Sequence, residues 1–228
     1  MYARLNRFTG MEAEALAGSL EWFQSEGLPA LRRSPSFLTI FFGVNLEEGT
    51  ATALTCWSSQ HAMSVNEATE GPMRTEALRR AGGSLSRGLV DTYEIVHTDS
   101  RPMDSDDTEL HARVIRWEGL RPEAIRAAKE EFVDQELPTW IEDPDYRGML
   151  LGANTTLGNT LLVCFWATED LSDVEARERQ TTRRITSARS GPFRPVMFDS
   201  YQVAMAPDLT PATATVTAPR GSGATASR

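Results

Sequence analysis

The sequence predicts an α+β protein: two tandem βαββαβ units whose four-stranded antiparallel sheets face each other and close into one α/β barrel. Three observations carry this reading. The chain repeats itself, with Tyr2-Ala3-Arg4-Leu5 returning as His111-Ala112-Arg113-Val114 and Leu28-Pro29 as Leu137-Pro138. Pro35/Pro144, Gly43/Gly152, Asn45/Asn154, Gly49/Gly158 and Trp57/Trp166 keep the same separation of 109 residues, which holds through Val65/Val174. One residue is then lost, and Asp91-x-Tyr93 matches Asp199-x-Tyr201 at 108. A period this long is a duplicated domain, not a solenoid unit. Second, each copy reads strand, helix, strand, strand, helix, strand. Third, helices cover only one face of each sheet, and the economical cover for the other face is the second sheet.

The elements follow in order. Tyr2–Phe8 alternates with the period of a strand. Met11–Glu26 places Leu16, Leu20 and Phe23 on one helical face, and Gly27 and Pro29 are expected to close that helix. Phe37–Val44 is β-rich, Asn45 to Gly49 reads as a hairpin turn, and Ala51–Trp57 is the returning strand. A polar helix over Ala62–Arg80 and a strand over Leu89–Val96 complete the first unit, residues 1–98. Residues 99–110 read as an acidic linker. The second unit, 111–206, repeats the order: strand His111–Trp117, a helix opened by Pro122, strands Tyr146–Ala153 and Thr160–Trp166, a helix over Ser172–Arg189, and strand Met197–Ala204. Residues 207–228, rich in Thr, Ala, Pro, Gly and Ser, cannot bury enough apolar surface to order themselves, and a disordered tail is expected.

A chain of 228 residues suffices for two modest units sharing a core. The net charge of −9 argues against a nucleic-acid partner, which needs a basic stripe. Lys129 is the sole lysine, so the positive charge is almost all arginine, as GC-rich codon usage would give. Cys56 and Cys164 lie in apolar runs of different repeats and suggest a reducing compartment. There is no signal-peptide pattern and no apolar run near 18 residues, so a cytoplasmic protein without membrane association is expected.

Strand alternation suggests what lines the barrel. Ala3, Leu5, Ala112 and Val114 are assigned to the helix-covered face. Tyr2, Arg4, Asn6 and Phe8, with His111, Arg113, Ile115 and Trp117, are assigned to the space between the sheets. Arginine at the same inward position of both copies implies a paired buried charge or a wet, ligand-sized cavity. The competing reading is that strand ends fray and both guanidiniums reach solvent.

The pattern resembles the dimeric α/β-barrel superfamily, in particular the antibiotic biosynthesis monooxygenase-like group, whose units are ferredoxin-like. The signature is a Trp ending the third strand, followed by a small hydroxyl residue and a helix start: Trp57-Ser58-Ser59-Gln60-His61-Ala62, with Trp166-Ala167-Thr168-Glu169-Asp170-Leu171 as a degenerate copy. The resemblance implies oxidation of a small aromatic, polyketide-type molecule without metal or flavin, so no cofactor and no metal site are expected. The family's Asn four residues before the Trp and its aromatic six after are replaced by Ala53 and Met63 in the first copy, and by Leu162 and Ser172 in the second. Haem-degrading relatives use a strand-one Asn, which Asn6 matches, together with a Trp and a His in the second helix, which this chain lacks.

The candidate catalytic residues are therefore Asn6, Trp57 and His61. Arg4, Phe8, Arg113, Trp117 and Trp166 are the candidate substrate-binding residues. Arg4 or Arg113 would stabilise phenolate charge, Asn6 or His61 would hydrogen-bond an oxygen substituent, and Phe8, Trp57 and Trp117 would stack on rings. The alternative is a non-catalytic barrel that binds a small ligand or serves in stress; haem binding is a weaker third reading. A monomer with an intrachain barrel is expected, or a homodimer through the outer faces.

Overall fold

The computed structural model describes residues 1–82, 89–101, 109–187 and 194–207. The first unit comprises strand β1 (Tyr2–Thr9), helix α1 (Ala13–Trp22), a π turn (Phe23–Gly27), helix α2 (Leu28–Arg32), strands β2 (Phe37–Asn45) and β3 (Thr50–Trp57), helices α3 (Gln60–Val65) and α4 (Glu67–Arg80), and strand β4 (Leu89–Ser100). The second comprises β5 (His111–Glu118), α5 (Pro122–Glu131), a π turn (Phe132–Glu136), α6 (Leu137–Ile141), β6 (Tyr146–Asn154), β7 (Asn159–Trp166), α7 (Ser172–Ser187) and β8 (Arg194–Met205). Strand β4 runs to Ser100, two residues into the stretch expected as linker. Most of that linker, the end of the second polar helix at Arg189, and the tail beyond Pro207 lie outside the described residues.

The eight strands form one closed antiparallel barrel in the order β1-β3-β2-β8-β5-β7-β6-β4. Each unit supplies four strands, and the seams β2–β8 and β4–β6 join the two sheets. The repeated glycines belong to these seams. A Cβ on Gly43 would lie 2.7 Å from Cβ of Tyr201, and one on Gly152 would lie 2.9 Å from Cβ of Tyr93. Only glycine lets the tyrosine strands approach so closely.

The strand phase is the reverse of the sequence expectation. Ala3, Leu5, Phe41, Leu54 and Tyr93 pack with Ala112, Val114, Leu150, Phe165 and Tyr201 in one cluster drawn from both units. Phe41 and Phe165 meet edge to face at 5.2 Å. The space between the sheets is therefore a filled core, not a ligand cavity. Arg4, Asn6, Phe8, Arg113, Ile115 and Trp117 instead face the helices: Phe8 packs in the first unit's sheet–helix core, and Ile115 and Trp117 in the second's. Arginine stands on both faces of strand one, so alternation alone could not fix the phase. Burial of the aliphatic set between two sheets decides it.

The interior arginines clasp the two units together. Arg7 of β1 donates to Asp199 of β8, whose carboxylate also accepts from Tyr201 Oη at 2.8 Å. Arg116 of β5 reciprocates, reaching Asp91 of β4 at 2.6 Å and Tyr93 Oη at 3.2 Å. The repeated Asp-x-Tyr motif is thus the receiving half of a contact made by the other repeat's strand one. Each hairpin asparagine does likewise: Asn45 Nδ2 donates to the Ser200 carbonyl at 3.2 Å and Asn154 Nδ2 to that of Thr92 at 2.9 Å.

The first helix of each unit continues past the expected stop. Pro29 and Pro138 each lie at the start of a new helical segment directly after a π turn. A proline inside a regular helix removes one hydrogen bond and drives its ring into the carbonyl four residues back. Widening the preceding turn to the π form relieves that clash, and Leu28 N–H accordingly donates to the Phe23 carbonyl five residues back. The repeated Leu-Pro therefore marks a helix offset over the sheet, not a helix end.

Candidate functional site

Each unit holds a small cavity between its sheet and its helices. In the first, Asn6 and Phe8 rise from β1, Ile40 and Phe42 from β2, and Ala53 and Thr55 from β3. Phe23 at the π turn and Leu31 on α2 form one wall, and Glu70, Met73, Arg74 and Ala77 on α4 form the other. The cavity measures about 40 Å³, room for about three waters.

Its lining is apolar except for Asn6, Thr55, Glu70 and Arg74. Asn6 is fully buried, and its Oδ1 accepts no hydrogen bond among the described residues. Glu70, also buried, is held by Arg4, which additionally pairs with Glu67 Oε2 at 2.9 Å and donates to the Met63 carbonyl at 2.9 Å. Arg74 Nη1 stands 3.8 Å from Glu70 and 3.3 Å from Glu67. Burial lowers the Arg4 guanidinium from its ordinary value and Glu67 opposes the shift. The hydrogen bond from Arg74 holds the Glu67 carboxyl below the usual range. Thr55 Oγ1 accepts from Trp57 Nε1 at 3.3 Å.

The second cavity, also about 40 Å³, occupies the matching place and lacks counterparts of Asn6, Glu70 and Arg74 in its lining. Ile115 replaces Asn6 and is fully buried; Trp117 replaces Phe8, and Leu151, Leu162 and Phe132 complete an apolar wall. The charged pairing survives beneath it. Arg113 bonds Glu178 at 3.0 and 3.1 Å and Glu175 at 3.1 Å, the counterparts of Glu70 and Glu67. Burial raises the Glu178 carboxyl, and Arg113 only partly opposes this.

The structure brings Asn6 and Phe8 together in one cavity and puts Trp117 in the other. Arg4 and Arg113 are not cavity cations of the barrel interior; both are committed to glutamates of the second helix. Trp57 is fully buried edge-on against Phe37 at 5.4 Å, reaching the first cavity only through Thr55. Trp166 is buried against Trp140 and Tyr146. His61 is exposed on α3 and faces an outer depression with Arg33, Ser34 and Asn66, apart from Asn6. Sequence reasoning missed Glu70 and Arg74. The signal for Glu70 was present: Glu67-x-x-Glu70 returns as Glu175-x-x-Glu178 at separation 108, one face of a helix in both copies. No group of three or more potential metal ligands occurs among the described residues, and no described helix is long and apolar enough to cross a membrane.

No protein-family model matches the chain, and no curated protein matches it in sequence. Solved structures do. A presumed monooxygenase from Lactobacillus acidophilus NCFM is 11% identical, with 89% of this chain and 92% of that one aligned at a TM-score of 0.59. An anthrone oxidase-like protein is 12% identical over 90% and 91% of the two chains, at 0.61. A haem-binding protein from Thermus thermophilus is 12% identical over 89% and 90%, at 0.51. The chain shares the barrel fold of these proteins, with two βαββαβ units in one polypeptide. At these identities the likeness concerns the fold, which hosts many chemistries.

Proposed function

We propose that the chain is a cofactor-independent monooxygenase-like enzyme whose substrate, a small phenolic aromatic, binds in the first unit's cavity. One observation carries this reading: Asn6 is buried with an Oδ1 that has no partner among the described residues, in a cavity lined mostly by apolar side chains. A buried acceptor without a donor costs roughly 1–3 kcal/mol, which a second ligand O–H, one that stays protonated while the reacting phenol ionises, would recover. Arg74, which lines the same cavity while paired with Glu67, would supply positive charge for a phenolate, the role first assigned to Arg4. Phe8, Phe23 and Phe42 offer ring faces and exclude water.

In such a site the phenolate transfers one electron to dioxygen. The radical pair joins at the activated ring carbon to give a peroxide, and loss of water leaves a carbonyl. A methylene and one O2 thus become a carbonyl and one H2O. The cavity as it stands admits about three waters, so a ring system binds only when the α1–α2 strip moves outward. That small volume also favours the second reading, a barrel that binds a small ligand without turning it over.

Oxygen consumption with anthrone- and naphthol-type substrates is the test. Uptake should rise with pH as the phenol ionises, and Asn6→Leu or Arg74→Leu should lower it by about tenfold or more. Trp57→Phe should cost less, because that ring lies behind Thr55. Tight binding of a phenol without oxygen uptake would replace the oxygenase reading by the binding one.

A further inference from the structure

We infer that the second unit's cavity is a separate site for an alkyl carboxylate, its chain in the apolar slot and its carboxylate on Lys129. The slot lies between α5 and α7, lined by Ile125, Ala128 and Lys129 on one side and Thr181 on the other. Two local features open it. In the first unit, Ser19 Oγ bonds the Ala77 carbonyl at 3.0 Å and α1 packs along α4; Ala128 stands at the matching place and has no hydroxyl to tie α5 to α7. A β-bulge between Ile95 and His97 leaves Val96 without a ladder partner, and that side chain crosses the seam from the first unit to line the slot. Bulges of this kind re-aim a side chain.

The polarity of the slot selects the ligand. Trp117, Leu120, Phe132, Leu151 and Leu162 give it an almost wholly apolar interior, which suits hydrocarbon. At about 40 Å³ this slot, like the first cavity, holds only a few waters as it stands, so an alkyl chain enters by moving α5 outward, and a flexible chain asks for less opening than a fused ring. Lys129, the only lysine of the chain, is half-buried at this slot and makes no ion pair among the described residues. An ammonium beside an apolar slot attracts an anion whose remainder is hydrocarbon, a pairing that the Arg-committed glutamates of the first cavity do not offer.

Calorimetric titration of the full chain with octanoate and with octanol tests this. Octanoate should bind at least about tenfold more tightly than the alcohol, a difference of about 1.4 kcal/mol. Lys129→Gln should erase that preference and Lys129→Arg should keep it. Ala128→Phe or Val96→Phe, each checked for a native circular dichroism spectrum, should abolish binding by filling the slot. Asn6→Leu in the other cavity should leave octanoate affinity unchanged, so this site stands or falls apart from the oxygenase reading. Equal affinity for acid and alcohol, indifference to Lys129→Gln, or absence of octanoate binding at millimolar concentration would each overturn it.

Discussion

Arg4 and Arg113 show how one residue reads differently in sequence and in space. Each repeats at the same strand position, and a paired buried charge was one of the meanings the sequence allowed; the pairing glutamates lie more than sixty residues downstream, beyond the reach of strand periodicity. The consequence for stability reverses the expectation for a cavity-lining arginine. Glu178 has no exposed side-chain surface, so Arg113→Leu strands a buried carboxylate and should cost about 3–5 kcal/mol by urea denaturation. Arg113→Leu with Glu178→Leu should recover much of that loss, because both charges then leave together. The pH dependence follows from burial. With the folded-state value of Glu178 above the ordinary 4.5, its contribution is fully present below 4.5 and is lost as pH rises through the raised value. Arg113→Leu should steepen that loss in a pH series of melts; an unchanged slope would show that Glu178 is not the titrating group. The cysteines give a simpler reading. Burial pushes Cys56 up to about 12 and Cys164 well above its usual range, so neither should react with a thiol reagent until the protein unfolds.

Among the elements, the strands and their order were legible, because alternation, the hairpin residues and the 109-residue period act locally and twice. The helix over each cavity was less so. Gly27 and Pro29 carry ordinary stop signals, yet the buried Leu31 beyond them holds the chain against the sheet, and the π turn reconciles proline with helix. Packing overrode a local rule, and it did so directly above the candidate sites, since Phe23 and Phe132 open the two π turns and line the two cavities. Gly27→Ala probes this arrangement. Its φ is −67°, so the backbone accepts alanine, but the new Cβ would lie 2.7 Å from the Phe23 ring. Helix propensity contributes about 1 kcal/mol in favour, and crowding costs about 1–3 kcal/mol if the ring cannot move. The open space is the cavity itself. The variant should therefore melt within a few degrees of the parent while ligand affinity in the first unit falls, because Phe23 then occupies the site. A large drop in melting temperature with unchanged affinity would mean that the ring is locked.

For the whole molecule, duplication explains what neither repeat shows alone. Asp-x-Tyr looked like a repeated strand motif within each copy, but its partner is the other copy's Arg7 or Arg116, so its meaning appears only when the sheets meet. Burial, reinforced by the adjacent aspartates, raises both Tyr93 and Tyr201 above the ordinary 10.0. Their contribution is present below pH 10 and is lost as pH rises above it, and Tyr93→Phe with Tyr201→Phe should flatten alkaline unfolding. The symmetry of the clasp makes a stronger prediction. Residues 1–100 alone keep Arg7 and Asp91 but lose Asp199 and Arg116, and they expose the apolar face of Ala3, Leu5, Phe41 and Leu54. Two copies related by a two-fold axis restore both clasps: each Arg7 meets the other copy's Asp91, as Arg116 meets Asp91 in the full chain. The fragment should therefore dimerise, by light scattering coupled to size exclusion. Asp91→Ala, which leaves two half-buried arginines unpaired, should weaken that dimer by about thirtyfold or more, corresponding to roughly 2 kcal/mol or above. A folded, monodisperse monomer from residues 1–100 would show that the first sheet can cover itself, and the shared barrel would then no longer account for why the two repeats are fused.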